Sequence, residues 1–130
     1  DARKPISWHY EIGRRLRPLR EEGILILGSG NVVHTLAQMQ WDIQAKPHDW
    51  ADRFNNFVID VIETNTPERL FDHQALGYDA AMSIPPQDLG HYWPLFYVLG
   101  ARYDEDKVTI NPKHVQYKSL SMMSFLLDCR

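Results

Sequence analysis

Four consecutive aliphatic residues between two glycines constrain the fold of this chain more than any other feature. Residues 24–27 read Ile-Leu-Ile-Leu, and they lie between an amphipathic segment at 7–22 and the tripeptide Gly28-Ser29-Gly30. A short apolar run in such a setting is typical of a strand buried in a parallel or mixed sheet. The sequence therefore predicts a helix, a buried strand over 24–27, and a glycine-rich turn at the carboxyl end of that strand.

Helix and strand patterns alternate along the rest of the chain and define the expected fold class. Helical spacing of apolar residues predicts helices at 32–41, 49–64 and 86–99, with a short helical segment starting at 66. Residues 72–86 are expected to form a loop, and strands are predicted at 107–110 and at 116–127. This order is typical of the α/β class, and 130 residues is the size of one domain.

Charge and composition argue against several classes of protein. A net charge of −3, from 17 acidic and 14 basic residues, is not expected of a protein that binds nucleic acid by neutralising phosphates. No apolar run approaches the ~20 residues that cross a membrane. A single cysteine, Cys129, cannot form an internal disulfide, so we expect a reducing compartment, the cytoplasm. The arginine-rich run at 14–20 is interpreted as a solvated helix face.

Two histidines are the sharpest candidates for chemistry. His34 follows the glycine-rich turn and is expected one turn into the next helix, near the strand end where α/β sheets bind ligands. His91 begins a strongly apolar helix. Packing or capping histidines remain the alternative for both, and two imidazoles do not complete a metal site. A dinucleotide-binding turn is disfavoured because Val33 stands where a third glycine is needed.

The remaining polar residues give weaker signals. His73 is expected at the surface, and His9, His48 and His114 have no distinctive spacing. The sequence contains no HExxH, no cysteine pair and no GxSxG. Acidic residues predicted to be solvated in loops are Asp79, Asp88 and the run Asp104-Glu105-Asp106.

Several segments together resemble one enzyme family. Residues 28–34, Gly-Ser-Gly-Asn-Val-Val-His, are similar to the SGNVVHN signature of the class III extradiol ring-cleavage dioxygenases, the LigB-like superfamily, in its 4,5-DOPA dioxygenase branch. Residues 91–101, HYWPLFYVLGA, resemble the family's EHYLPLLYVLGA segment. Similarity extends to residues 8–24, 50–55 and 119–122, so it covers nearly the whole chain, although Thr35 stands where the family has Asn.

The resemblance implies a fold and a place within it. It implies a layered α/β sandwich with a mixed sheet, of the phosphorylase/hydrolase-like kind, in which residues 1–130 are the C-terminal half of a single catalytic domain. Family members are about twice as long as this chain. Their N-terminal half contributes two further metal-binding histidines, in a GHGSPM-like loop and an SAHW-like strand end, and neither motif occurs in this sequence.

The resemblance also implies a function and its residues. By position, His34 is a metal ligand and His91 is both a metal ligand and a catalytic residue. The implied reaction is extradiol cleavage of a catechol-type, DOPA-like ring by O2 at non-haem Fe(II), with Zn(II) able to occupy the same site. The implied partners are the N-terminal half, the catechol and O2, with no nucleic acid and no membrane. The alternative function is a non-catalytic metal- or ligand-binding remnant of the fold.

Two consequences of this hypothesis can be compared with a structure or an assay. His34 and His91 should approach each other, although they lie far apart in the sequence. Residues 1–130 alone should bind metal weakly and cleave no ring, because two imidazoles leave a metal ion mostly hydrated and one half of a domain leaves the substrate unenclosed.

Overall fold

The chain folds as a set of helices with two small antiparallel sheets. The computed structural model describes residue 1 and residues 3–128, and Cys129 lies outside them. The helices are α1 (Ile6–Leu16), α2 (Asp49–Thr64), α3 (Tyr78–Ser83) and α4 (Leu89–Gly100). Shorter 3₁₀ helices are Arg17–Arg20, Leu36–Gln38, Pro67–Leu70, His73–Leu76 and Pro86–Asp88. The strands are β1 (Lys107–Ile110), β2 (Val115–Gln116), β3 (Leu120–Ser121) and β4 (Phe125–Asp128).

Helices α1 and α4 form a closely packed pair. A side chain at Gly13 of α1 would overlap the carbonyl oxygen of Tyr97 in α4, so the backbones approach as closely as glycine allows. The His9 ring stacks on Trp93 with ring centroids 4.8 Å apart, and its Nδ1 is hydrogen-bonded to the Tyr97 hydroxyl at 2.9 Å. His9, which had no distinctive signal in the sequence, is thus a buried packing residue of this pair.

Helix α2 has the bounds that its sequence predicts. Apolar residues at helical spacing place one face in the core, including Phe54, Val58 and Ile62. The helix ends at Asn65, which adopts the left-handed conformation (φ 54°) that frequently terminates helices. The prediction of a strand at 107–110 is likewise confirmed, since β1 pairs with β4 across four residues.

One arginine and one aspartate correct the expectation that their charged runs are simply solvated. Arg20 contacts Asp106 at 2.6 Å, and the Asp106 side chain is inaccessible to solvent. Burial opposes ionisation of Asp106, but hydrogen bonds from Arg20 and from the Tyr103 N–H hold its pKa below the usual value. The pair ties the segment after α1 to the segment before β1.

Residues 24–27 do not form the buried strand that the sequence predicts. Leu25 is 77% exposed and Leu27 is 83% exposed. From residue 25 to residue 30, no backbone N–H donates to a backbone carbonyl of any described residue. We call residues 24–30 the open strip. A groove of about 810 Å³ separates it from β4. The prediction is wrong because the described residues place no strand beside the strip to pair with it.

Residues 33–35 are extended, which corrects the helix expected at 32–41. The Thr35 N–H donates to the Ser119 carbonyl (3.3 Å), and the Ser121 N–H donates to the Val33 carbonyl (3.0 Å). This short stretch therefore adds to the β2–β3 hairpin, and β-branched side chains suit such pairing. Only Leu36–Gln38 within the expected helix is helical, as a 3₁₀ turn. None of the helices among the described residues has the length and apolar character of a membrane span.

Candidate functional site

The two candidate histidines meet at one place in the fold. Their rings are stacked, with centroids 3.9 Å apart and planes inclined by 25°. His34 lies on the extended stretch that pairs with Leu120 of β3, and His91 lies in the first turn of α4. The predicted approach of the two residues is confirmed, although His34 reaches the site from an extended segment and not from a helix.

The glycine-rich turn positions this pair. The Asn31 N–H donates to the His91 carbonyl at 2.6 Å, and the Asn31 side-chain amide donates to the Ser121 carbonyl at 3.1 Å. Asn31 Oδ1 accepts from the Val33 N–H at 3.0 Å. A methyl group on Gly30 would overlap the His91 carbonyl oxygen, so only glycine permits this approach. The turn therefore fastens the segment before His34 to the start of α4.

Asp88 lies beside the two histidines, and the sequence interpretation of it as a solvated loop acid missed this. Ligand atoms of His34, Asp88 and His91 all lie within 4.8 Å of one another. Asp88 comes immediately before α4 and three residues before His91, a spacing that puts two side chains on the same face of a helix. That Asp-x-x-His spacing was the available signal. Imidazole and carboxylate together are donors that suit divalent transition metals.

The electrostatics of His34 favour its neutral form. Burial lowers its pKa, the neighbouring His91 lowers it further, and Asp88 opposes the shift. Its Nδ1 is buried and has no hydrogen-bond partner among the described residues. A neutral imidazole has a lone pair available, and neutral imidazole is the form that binds metals. An unpartnered buried nitrogen costs free energy that a bound ligand would offset.

The other histidine singled out in the sequence does not join this site. His73 is buried, which corrects the expectation of a surface position, and burial lowers its pKa. Its ring packs edge-on against Phe54 and Tyr92. Phe54 lies 19 positions before His73 in the sequence, so their packing is a tertiary contact. Nothing in the local sequence Phe-Asp-His-Gln at 71–74 indicates that His73 is buried.

The site opens onto the groove beside the open strip. His91 is exposed and lines the groove together with Gly28, Ser29 and Asn31. The opposite side of the groove is formed by β4, including Phe125, and by the two residues that precede it. The described residues thus form two sides of a groove that His91 lines and that is open to solvent.

Comparisons with known proteins identify the family to which this chain is similar. The sequence profile of the family described as "Catalytic LigB subunit of aromatic ring-opening dioxygenase" matches residues 3–127. A protein of Escherichia coli K12 named "4,5-DOPA dioxygenase extradiol" is 38% identical over 95% of this chain and 46% of its own length. A protein of the same name from Mirabilis jalapa is 32% identical over 72% of this chain and 34% of its own length.

A solved structure gives the same result for the fold. The crystal structure of an uncharacterized protein from Escherichia coli K12 superimposes with a TM-score of 0.84 and 38% identity. The match covers 96% of this chain and 51% of that protein. The chain therefore spans about half the length of that structure, and half or less of the two relatives it matches.

Proposed function

This chain belongs to the LigB family of aromatic ring-opening dioxygenases, and from that premise we propose that residues 1–130 are the C-terminal half of an extradiol dioxygenase domain. The proposed reaction is cleavage of a catechol-type, DOPA-like ring by O2 at a non-haem metal. The observation that supports it most strongly is the stacked pair of His34 and His91, each within a segment that resembles a family motif.

The residues at this site fit a divalent metal. His34 offers a buried nitrogen without a partner, and His91 and Asp88 bring further donor atoms within 4.8 Å. Histidine and carboxylate donors with open positions suit Fe(II). Zn(II) binds the same donors but has no redox chemistry. We therefore propose Fe(II) as the active metal, with Zn(II) as an inactive occupant.

The two histidines have different surroundings and hence different proposed roles. When bound, Fe(II) supplies the redox chemistry with O2. His34, which is partly buried and kept neutral by its surroundings, presents a fixed donor. His91 is exposed on the groove, where a catechol can reach it, and an imidazole there can accept a phenolic proton and return it. The groove wall around His91 orients the ring, and fixed orientation lowers the barrier to reaction.

The partner in this proposal is the N-terminal half of the same enzyme. The relatives extend well beyond the length of this chain, and the open strip presents unpaired backbone groups and exposed leucines. Unpaired strand edges are templates for pairing with other strands. We propose that strands of the N-terminal half pair with the strip, which completes a layered mixed sheet, encloses the groove and adds metal-binding histidines.

The test uses a longer protein in which this chain follows its N-terminal half. Loaded anaerobically with Fe(II) and then given a catechol and O2, it should form a yellow ring-opened semialdehyde that absorbs visible light. His34→Ala should remove bound iron, because a metal donor is lost. His91→Ala should reduce turnover at least as strongly. The exposed His114 lies outside the cluster, so His114→Ala is the matched control and should behave as the wild type.

The outcome that contradicts the proposal is equally concrete. A longer protein that holds iron stoichiometrically and leaves every catechol unchanged would favour the non-catalytic, metal-binding remnant. Retention of iron and activity in His34→Ala would show that the site lies elsewhere.

A further inference from the structure

A polar side chain lies within the apolar face of α2. Asn55 has no accessible surface, whereas the other buried residues of this helix, which lies wholly within the described part of the chain, are apolar. A buried amide costs free energy unless its donor and its acceptor are both hydrogen-bonded. The partners of Asn55 therefore show what this side chain holds in place.

The Asn55 amide joins α2 to two later segments. Its Nδ2 donates to the Lys113 carbonyl at 2.7 Å, and its Oδ1 accepts from the Ser121 hydroxyl at 2.6 Å. A carbonyl can only accept, so the bond to Lys113 fixes which end of the amide is the NH2 group. The Ser121 hydroxyl also accepts from the Met123 N–H at 3.1 Å. Strand β3 is thus tied to α2 through two buried side chains.

The backbone of Ser121 connects this bond to both histidines. Its N–H donates to the Val33 carbonyl at 3.0 Å, and its carbonyl accepts from the Asn31 side-chain amide at 3.1 Å. Val33 immediately precedes His34, and the Asn31 N–H donates to the His91 carbonyl at 2.6 Å. A single serine therefore contacts the residue next to one histidine and lies two hydrogen bonds from the other.

We propose that Asn55 is a positioning residue of the site: through Ser121 it fixes the backbones from which His34 and His91 project, and hence the stacking of their rings. This inference rests on the proposed function, for which the two rings must be held together. Asn55 lies in the core and is not one of the residues that line the groove, so it acts only through these hydrogen bonds.

The physical reason is the difference between apolar packing and directed bonds. Apolar contacts between β3 and α2 tolerate small shifts, whereas a fully satisfied buried polar network specifies one arrangement. A displacement of about 1 Å at a reacting group can cost about 100-fold in rate. Loss of the bond between Asn55 and Ser121 should therefore affect turnover more than its contribution to stability suggests.

The test measures kcat and KM in the longer, Fe(II)-loaded protein, at a temperature at which circular dichroism shows every variant to be folded. Ser121→Ala removes the hydroxyl that reaches Asn55 and keeps the backbone hydrogen bonds of β3. We expect kcat to fall about 10–100-fold, as when indirect partners of active-site groups are removed. KM should change far less, because the groove wall is unaltered.

The matched control is Val58→Ala. Val58 lies on the same buried face of α2, and its replacement removes buried atoms without breaking a hydrogen bond. It should lower the free energy of unfolding and leave kcat close to the wild-type value. A wild-type kcat in Ser121→Ala would overturn the proposal. An equal loss of kcat in Val58→Ala would overturn it too, because kcat would then simply follow stability.

The double variant Asn55→Leu/Ser121→Ala separates positioning from stability further. Ser121→Ala leaves the buried Asn55 Oδ1 without its partner, and the double variant removes that oxygen as well, so it should be more stable than Ser121→Ala. Its kcat should stay low, because β3 is still not bonded to α2. Recovery of kcat together with stability would contradict the proposal. Ser121→Ala and its control decide the question alone if the larger leucine prevents folding.

A second measurement needs neither metal nor turnover. In the 130-residue chain, NMR cross-relaxation between ring protons of His34 and His91 reports the stacking of rings whose centroids are 3.9 Å apart. The cross-peak should be present in the wild type and in Val58→Ala, and weakened or lost in Ser121→Ala.

The two measurements keep this inference distinct from the proposed function. If Ser121→Ala loses the cross-peak while the longer protein cleaves no catechol, the positioning of the rings stands and the proposed function fails. If the longer protein is active, and Ser121→Ala keeps both its cross-peak and its kcat, the function stands and the positioning role fails.

Discussion

The α1–α4 helix pair and the open strip are both rich in apolar side chains, yet they end in opposite environments. Phe96 of α4 has no accessible surface, whereas Leu27 of the strip is 83% exposed. The helix pair finds its packing partner within the same chain, because α1 lies against α4 through Gly13. The strip contacts α4 on one side, and among the described residues no strand pairs with its other side. Apolar residues thus favour burial, but they are buried only where another segment packs against them.

The histidine site lies on the boundary between these two regions. His91 is anchored by α4 on the packed side, and the groove beside it is bordered by the open strip. The metal donors that we propose within this chain are therefore held in place by its own fold, whereas we propose that enclosure of a substrate needs the N-terminal half. We therefore propose that residues 1–130 position His34 and His91, and that ring cleavage needs a longer protein.

The largest effect should come from the packed region. Phe96→Ala removes a fully buried ring that packs edge-on against Tyr92, with centroids 4.9 Å apart. The lost burial and the resulting cavity should lower the free energy of unfolding by about 3–5 kcal/mol. Urea unfolding followed by circular dichroism measures it. A loss below about 1 kcal/mol would mean that this core is not formed in solution.

A smaller effect, dependent on pH, should come from His9 within the same helix pair. Burial lowers the pKa of His9 below its usual value, so below about pH 6.5 the unfolded chain takes up a proton that the folded chain resists. The stability contributed by neutral His9 is present above pH 6.5 and is lost as the pH falls through the folded-state pKa. His9→Phe should make the free energy of unfolding less dependent on pH between 7 and 5.

Two other histidines keep the pH dependence of stability from vanishing, since burial also lowers the pKa values of the partly buried His34 and the buried His73. Urea midpoints at several pH values measure the slope, and Leu25→Ala, which removes no titratable group, should keep the wild-type slope. An identical slope in His9→Phe and wild type would show that His9 is solvated.

The smallest effect should come from the open strip. Leu25→Ala removes an exposed side chain, so in the chain alone it should change the free energy of unfolding by less than about 0.5 kcal/mol. In the longer protein the same substitution should cost more, about 2–5 kcal/mol, if strands of the N-terminal half bury Leu25. Equal, negligible effects in both proteins would remove the strip from the proposed interface.

The parts of the fold that the sequence predicted are those fixed by local pattern. The apolar stripe of Phe54, Val58 and Ile62 is sufficient to predict α2. The strand predicted at 107–110 forms because β4, within the same chain, pairs with it. Residues 32–41 were predicted as a helix, but pairing of Val33 and Thr35 with residues far along the chain outweighs local helical spacing. The apolar run at 24–27 predicts a buried strand, but the sequence pattern does not show whether another strand lies beside it.

The site was predicted in part, through resemblance more than through residue spacing. His34 and His91 carry family-like motifs, and their meeting depends on contacts between an extended segment and α4 that no local pattern shows. Asp88 was missed because an acid in a Pro- and Gly-containing segment is ordinarily solvated. Its lack of a capping hydrogen bond is visible only in three dimensions.

The most direct test of the central claim compares ring cleavage by two proteins in one assay. The 130-residue chain and the longer protein with its N-terminal half are each loaded with Fe(II) under anaerobic conditions, and then given the same catechol and O2. We expect yellow ring-opened product only from the longer protein, because the 130-residue chain leaves the metal mostly hydrated and the substrate unenclosed. Sustained ring cleavage by the 130-residue chain alone would contradict it, because the open groove would then suffice for catalysis.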